Sequence, residues 1–222
     1  MPAAEEAAAE AAEEAAEEAA EEQGRAGATP AGSALGGEDR PVAGIERLDG
    51  PPARAEALTE EIMREYLMWC GERLTTDHGI VFDDSDAAVA AHHREFTREL
   101  PHLLGSRGRL LVARAGSEVV GVGALKPVDT TVAEIKRMYV RPEARGRGLG
   151  RAILERLLAE ASAIGYHVVR LETVVFMREA HALYRSLGFQ DRPIFENNEA
   201  GLSGLEPLML FMELRLDRSA RA

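Results

Sequence analysis

From Ala3 to Glu22 the chain consists only of alanine and glutamate, so this stretch has no large apolar residue to bury. Both residues favour helix, yet a helix without an apolar stripe gains nothing from packing. Its glutamates recur at i, i+4 (Glu13, Glu17, Glu21 and Glu14, Glu18, Glu22), which sets like charges on one face. A stretch rich in glycine and alanine, Gly24 to Gly37, comes next. Residues 1–41 therefore read as a disordered acidic tail with a flexible linker, and the fold is confined to residues 42–218. An acidic arm that recruits a basic partner is the functional alternative, although biased segments of this kind are ordinarily only solvated.

The tail also explains the charge. Residues 1–40 hold eleven acidic residues against Arg25 and Arg40, so nine of the chain's twelve net negative charges sit there and three belong to the rest. The acidic balance argues against a nucleic-acid partner, because phosphate affinity rests on Lys and Arg. One cysteine, Cys70, excludes a disulfide framework and a thiolate metal cluster and fits a reducing compartment. No uncharged apolar run approaches the roughly 18–20 residues that span a bilayer. The acidic start does not resemble a signal peptide, so a cytoplasmic location without membrane attachment is expected. Of the 26 basic residues only Lys126 and Lys136 are lysine. That bias points to a GC-rich coding genome, and it weakens any arginine cluster as a sign of an anion site.

From Val42 the texture changes. Val42 to Leu48 reads as a short strand, and Ala55 to Leu74 places Ile62, Met63, Tyr66, Leu67 and Cys70 at helical spacing. A second helix is expected from Asp86 to Leu100, stopped by Pro101. Arg109 to Ala115 and Glu118 to Pro127 read as a hairpin, and Thr131 to Val140 extends it to a meander of three. Leu149 to Ile164 is a well-formed amphipathic helix, with Leu149, Ile153, Leu154, Leu157, Leu158 and Ala161 at 3–4 spacing. A strand over Tyr166 to Val175, a helix over Arg178 to Leu187 and one or two strands within Phe189 to Leu216 complete a mixed sheet with helices packed on it.

The most informative segment lies between the third strand of the meander and the amphipathic helix. Here Gly146, Gly148 and Gly150 let the backbone approach a ligand closely, and the helix directs its positive end at the same point. That combination makes an anion site suited to a pyrophosphate, with Arg145, Arg147 and Arg151 as charged donors. The phosphate-loop NTPase pattern requires Gly-Lys-Ser/Thr, and the dinucleotide fingerprint requires G-x-G-x-x-G; neither is present. A plain glycine-rich connection in an arginine-rich chain is the other reading.

The run Ala133 to Pro142, together with Arg145 to Gly150, resembles the acyl-CoA-binding core of the GNAT superfamily of N-acetyltransferases. Arg145-Gly146-Arg147-Gly148-Leu149-Gly150 matches the [Q/R]-x-x-G-x-[G/A] motif at each defined position. Ala182-Leu183-Tyr184-Arg185-Ser186-Leu187-Gly188-Phe189 is similar to its A-L-Y-x-x-L-G-F ending. The resemblance is detailed over roughly 107–216 and does not touch the tail. It implies an α/β fold with a mixed, mostly antiparallel central sheet flanked by helices, and acetyl-CoA as co-substrate. It implies that Met138, Tyr139 and Val140 hold the pantetheine arm, in part through their backbone. Arg145, Gly146, Arg147, Gly148, Leu149, Gly150 and Arg151 would hold the pyrophosphate. In the family this strand and the next splay apart, and the thioester enters the gap.

The resemblance also implies two catalytic roles. Tyr184 would be the general acid that protonates the departing thiolate, which suits a phenol of pKa about 10; packed in the core with Ala180 and Leu187, it would instead be structural. Glu134 would be a general base for the incoming ammonium, or else a solvent-facing partner of Lys136. Met177 stands where many members carry an asparagine that contacts the cofactor.

Several residues suggest no chemistry by themselves. Cys70, on an apolar helix face, reads as a structural thiol. His92 and His93 are adjacent and lack partners at metal-ligand spacing, so no metal site is expected. Tyr66 and Trp69 either line the acceptor pocket or pack. Asp83, Asp84 and Asp86 either attract a cationic amine or form a turn and helix cap. The whole reading is an N-acetyltransferase that moves an acetyl group from acetyl-CoA to a primary amine of a small molecule or peptide by direct ternary-complex transfer. A non-catalytic acyl-CoA-binding regulatory module on the same fold is the alternative, and a homodimer is left open.

Overall fold

A computed structural model of the chain describes residues 42–81, 85–196 and 205–216. The expected tail, Asp83 and Asp84 lie outside the described residues. The elements are β1 (Val42–Arg47), α1 (Pro52–His78), α2 (Ser85–Leu103), β2 (Arg109–Ala115), β3 (Glu118–Pro127) and β4 (Val132–Val140). They continue with α3 (Leu149–Ile164), β5 (Val168–Val174), α4 (Arg178–Ser186), β6 (Gln190–Arg192) and β7 (Met209–Arg215). Seven strands make one sheet in the order β1-β2-β3-β4-β5-β7-β6. The β4–β5 pair is parallel and its neighbours pair antiparallel, which is the mixed, mostly antiparallel sheet expected. No helix among the described residues is long and apolar enough to cross a membrane.

Helices cover both faces, which is why β2 and β3 read as nearly continuous apolar runs rather than alternating ones. On one face Leu110, Val112, Val122 and Ala124 pack with Ile62 and Met63 of α1 and with Phe96, Leu100 and Leu103 of α2. On the other, Leu111, Ala113 and Leu125 pack with Ile153, Leu154, Leu157 and Ala161 of α3, the stripe its 3–4 spacing predicts. A Cβ at Gly123 would lie 2.6 Å from both Ile153 Cγ2 and Met138 Sδ, so the glycine lets α3 seat closely on the sheet. Pro101 does not stop α2, which runs on to Leu103. Leu100 and Leu103 are both fully buried, and Leu104 N still donates to Leu100 O at 2.9 Å, so packing of the last turn outweighs the one backbone bond proline forgoes.

Two irregularities in β4 shape the region of the glycine turn. First, pairing with β3 passes from Val122↔Tyr139 to Ala124↔Lys136, so Arg137 and Met138 together oppose Gly123. This is a β-bulge, and Arg137 takes a positive φ of 58° to make it. The bulge reverses the facing of the remaining residues of the strand. Met138 and Val140 join Ala133 and Ile135 on the α3 side, and Tyr139 joins the α1 side. Second, β4 pairs with β5 only from Val132↔Val168 to Ile135↔Leu171, although both strands continue. Beyond that point β5 remains paired with β7, and a gap opens between β4 and β5. Just past β4, buried Arg141 donates to both carboxylate oxygens of Glu65 on α1, at 2.9 and 2.7 Å, and to Glu118 on β3. The bidentate pair fixes α1 against the end of β4.

Candidate active site

The larger of two described cavities, about 640 Å³, occupies the mouth of the β4–β5 gap. The end of β4, the glycine turn, the first turn of α3 and the segment from Phe176 into α4 line it. Gly146 and Gly148 have φ of 74° and 76°, and no atom lies within 4 Å of a Cβ built at either. Backbone conformation, not crowding, therefore demands glycine there. Gly148 is the N-cap of α3, with no side-chain cap bond and no acidic residue in the first turn. The positive end of the helix is thus left to whatever enters the cavity. Arg145 lies over the rings of Trp69 and Tyr139, 5.4 and 5.5 Å from their centroids, and donates from Nε to Val140 O at 2.9 Å. Arg151 donates to Ser186 Oγ at 2.7 Å.

The smaller cavity, about 150 Å³ among the described residues, lies on the α1 side of the gap. Its walls include Tyr66, Leu67 and Cys70 from α1, Lys136 and Arg137 from β4, Glu172 from β5, and Leu205 and Met209. Met138, Met177 and Tyr184 line both cavities and so stand between them. Tyr184 is 6% exposed and packs on Phe189, with ring centroids 5.8 Å apart. Burial pushes its phenol well above the ordinary value of 10. Burial also pushes the Cys70 thiol up, to about 12, against an opposing hydrogen bond with Tyr66, so little thiolate exists at neutral pH. Cys70 is half-buried at a cavity wall rather than enclosed in the core.

Of the ten residues expected to hold the co-substrate, all but Arg147 line the larger cavity; Arg147 is exposed. Glu134 lines neither cavity. It is 4% exposed, accepts from Arg170 Nε at 3.0 Å and lies 3.7 Å from Lys136 Nζ, so it belongs to a buried ionic layer rather than to the solvent-facing edge. Trp69 borders the larger cavity and Tyr66 the smaller. Met177 stands at the N-cap of α4, where its sulfur accepts from Thr173 Oγ1 at 3.5 Å. His92 lines the smaller cavity, and His93 Nε2 sits 3.5 Å from Glu56. Arg73, Phe176 and Glu172 escape sequence reasoning, since they carry no motif and meet the site only through the crossing of α1 with the β5–α4 connection.

The model of the acetyltransferase (GNAT) family matches residues 60–189. The chain belongs to the GNAT acetyltransferase family. It is 48% identical over 107 residues to an IAA acetyltransferase of Azospirillum brasilense, covering 47% of this chain and 66% of that protein. An uncharacterized N-acetyltransferase of Escherichia coli is 37% identical over 76 residues, 33% of this chain and 46% of its own length. The chain thus spans about half to two thirds of these two relatives. The PaiA N-acetyltransferase of Thermoplasma acidophilum, solved in complex with coenzyme A, shares the fold at a TM-score of 0.58 and 18% identity, over 78% of this chain and 100% of that one.

The acyl-CoA co-substrate of a GNAT protein fits the larger cavity on three counts. The left-handed glycines and uncapped helix end suit a pyrophosphate, and the arginines add charge. Beyond Ile135 the β5-facing edge of β4 has no ladder partner among the described strands, so its backbone groups can serve a pantetheine amide. Two glycine variants separate conformation from space. Gly148→Ala should lower stability by about 1–2 kcal/mol, because alanine is strained at that φ. Gly150→Ala should be neutral or slightly stabilising, because its Cβ would be 3.8 Å from its nearest neighbours and alanine favours helix. Urea midpoints at constant slope would measure both.

Proposed function

We propose that this protein transfers an acetyl group from acetyl-CoA to a primary amine, without a covalent enzyme intermediate. The observation that carries the reading is the pair of cavities meeting at Tyr184, one suited to the donor and one to the acceptor. The uncapped end of α3 and Arg145 and Arg151 anchor the phosphates, and the open edge of β4 guides the arm so that the thioester reaches the gap. The acceptor enters from the α1 side. Its ammonium gives a proton to Glu172, the carboxylate that lines that cavity and that takes over the base role first expected of Glu134.

The amine's lone pair then attacks the thioester carbonyl carbon, and the C–S bond breaks as the tetrahedral intermediate collapses. Tyr184 delivers a proton to the sulfur and regains one from the nitrogen, so the second nitrogen proton ends on the thiol. Burial keeps the Tyr184 hydroxyl protonated at neutral pH, so its proton is in place when the thiolate departs. The same shift makes the phenol a weaker acid than a free tyrosine. A thiol as weakly acidic as Cys70 is a poor nucleophile, which favours direct transfer.

Calorimetry with acetyl-CoA, paired with CoA release from a panel of amines, tests the reading. Binding in the micromolar range and turnover on at least one amine are expected. Binding without turnover on any amine would favour a non-catalytic acyl-CoA-binding module, and absence of binding would overturn both.

A further inference from the structure

Beneath the smaller cavity lies a layer of buried charge. Glu99 of α2, 3% exposed, meets Lys126 Nζ at 2.5 Å and Lys136 Nζ at 3.0 Å through Oε1, and Arg137 Nη2 at 3.1 Å through Oε2. Glu134 shares Lys136 and adds Arg170. Lys136 and Arg137 have interactions beyond these as well. The side chains of Lys136 and Arg137 are only 4% and 6% exposed, yet both line the cavity, as does Glu172. The lining is therefore dipolar: two buried cations from β4 and one carboxylate from β5, between apolar walls such as Leu67, Leu74 and Met209.

A guanidinium presents several donors in a fixed fork, so one that lines a cavity is shaped to take a carboxylate there beside the partners it already has. The bulge at Arg137 is what brings it here, one residue from Met138 at the boundary between the cavities. Resting on the transfer reading above, we infer that the acceptor is a small amine that also carries a carboxylate, such as an amino acid. Its carboxylate lies against Arg137 and Lys136, and its ammonium against Glu172. The same lining disfavours polyamines and plain alkylamines, which would bring a second positive or apolar group to the two cations.

The test compares free amino acids with their carboxamides on the full chain at saturating acetyl-CoA, read as CoA release. The carboxamide amine is the less basic of the two, so simple reactivity at neutral pH favours the amide. The inference expects the reverse, with kcat/KM for the carboxylate at least about tenfold higher, the worth of one charge-assisted hydrogen bond. Arg137→Gln should bring that ratio towards one by raising the KM of the carboxylate acceptor, with the Kd of acetyl-CoA within about twofold of wild type; Arg137→Lys should restore part of it. If neither variant folds, the wild-type ratio decides. Acetylation with a ratio near one, or in favour of the amide, would overturn the inference and leave the transfer reading standing. Acetyl-CoA binding with no amine acetylated would overturn the transfer reading, and the inference with it.

Discussion

Tyr184→Phe should lower kcat by about 10²–10³-fold while leaving acetyl-CoA affinity and fold stability close to wild type. The substitution removes one oxygen and keeps the ring that packs on Phe189. Among the described residues no hydrogen bond involves the hydroxyl, so its loss leaves no buried protein group without a partner, the usual reason such a change destabilises. The loss should fall on kcat rather than KM, because the proton is needed only as sulfur leaves. An acetyl donor with a better leaving thiol would shrink the defect. Single-turnover CoA release, with calorimetric Kd as the control, measures both. A variant with unchanged kcat would return Tyr184 to the role of a core aromatic.

The second large effect concerns Glu99. Glu99→Gln should destabilise the domain by about 3–5 kcal/mol at pH 7, because it leaves several buried or half-buried cations without their shared counter-charge. Burial by itself would raise the Glu99 carboxyl, but the charges of Lys136 and Arg137 and hydrogen bonds from both lysines prevail and hold it at about 2 against an ordinary 4.5. A folded-state value below the unfolded one means the contribution is complete above pH 4.5 and is lost as pH falls towards 2. Wild-type urea midpoints should therefore decline across that window, and those of the variant should decline less. Adding Lys136→Met to Glu99→Gln should recover part of the loss; strict additivity of the two changes would show that they do not interact.

The fold was legible wherever one segment carried its own signal. The α3 helix announces itself by a 3–4 apolar period, and the β2–β3 hairpin by two β-rich runs around Ala115-Gly116-Ser117, because neither needs a distant partner to be recognised. The larger cavity was legible for the same reason: its turn, helix end and arginines are contiguous from Arg145 to Arg151. The smaller cavity was not. Tyr66, Arg137, Glu172 and Met209 come from four elements, and only the sheet order and the crossing of α1 bring them together. The bulge at Arg137 left no mark in the sequence, since it depends on Gly123 of the neighbouring strand, yet it decides which β4 side chains face which cavity. Glu134 illustrates the same limit. A glutamate two residues before a lysine reads as a surface pair, and only the packing of α2 over β4 turns both into buried members of a charge layer.

The placement of the two lysines has a chemical side effect. A thioester donor acylates exposed amines slowly without any catalyst, and an enzyme that keeps such a donor bound is the protein nearest to it. In this chain every other basic residue of the 26 is an arginine, whose guanidinium resists acylation. Lys136 is sealed inside, and Lys126, a third exposed, is tied to the same carboxylate. Under the proposed activity, the described surface would offer a bound thioester almost no lysine to modify, and amine-directed probes should label Lys126 long before Lys136.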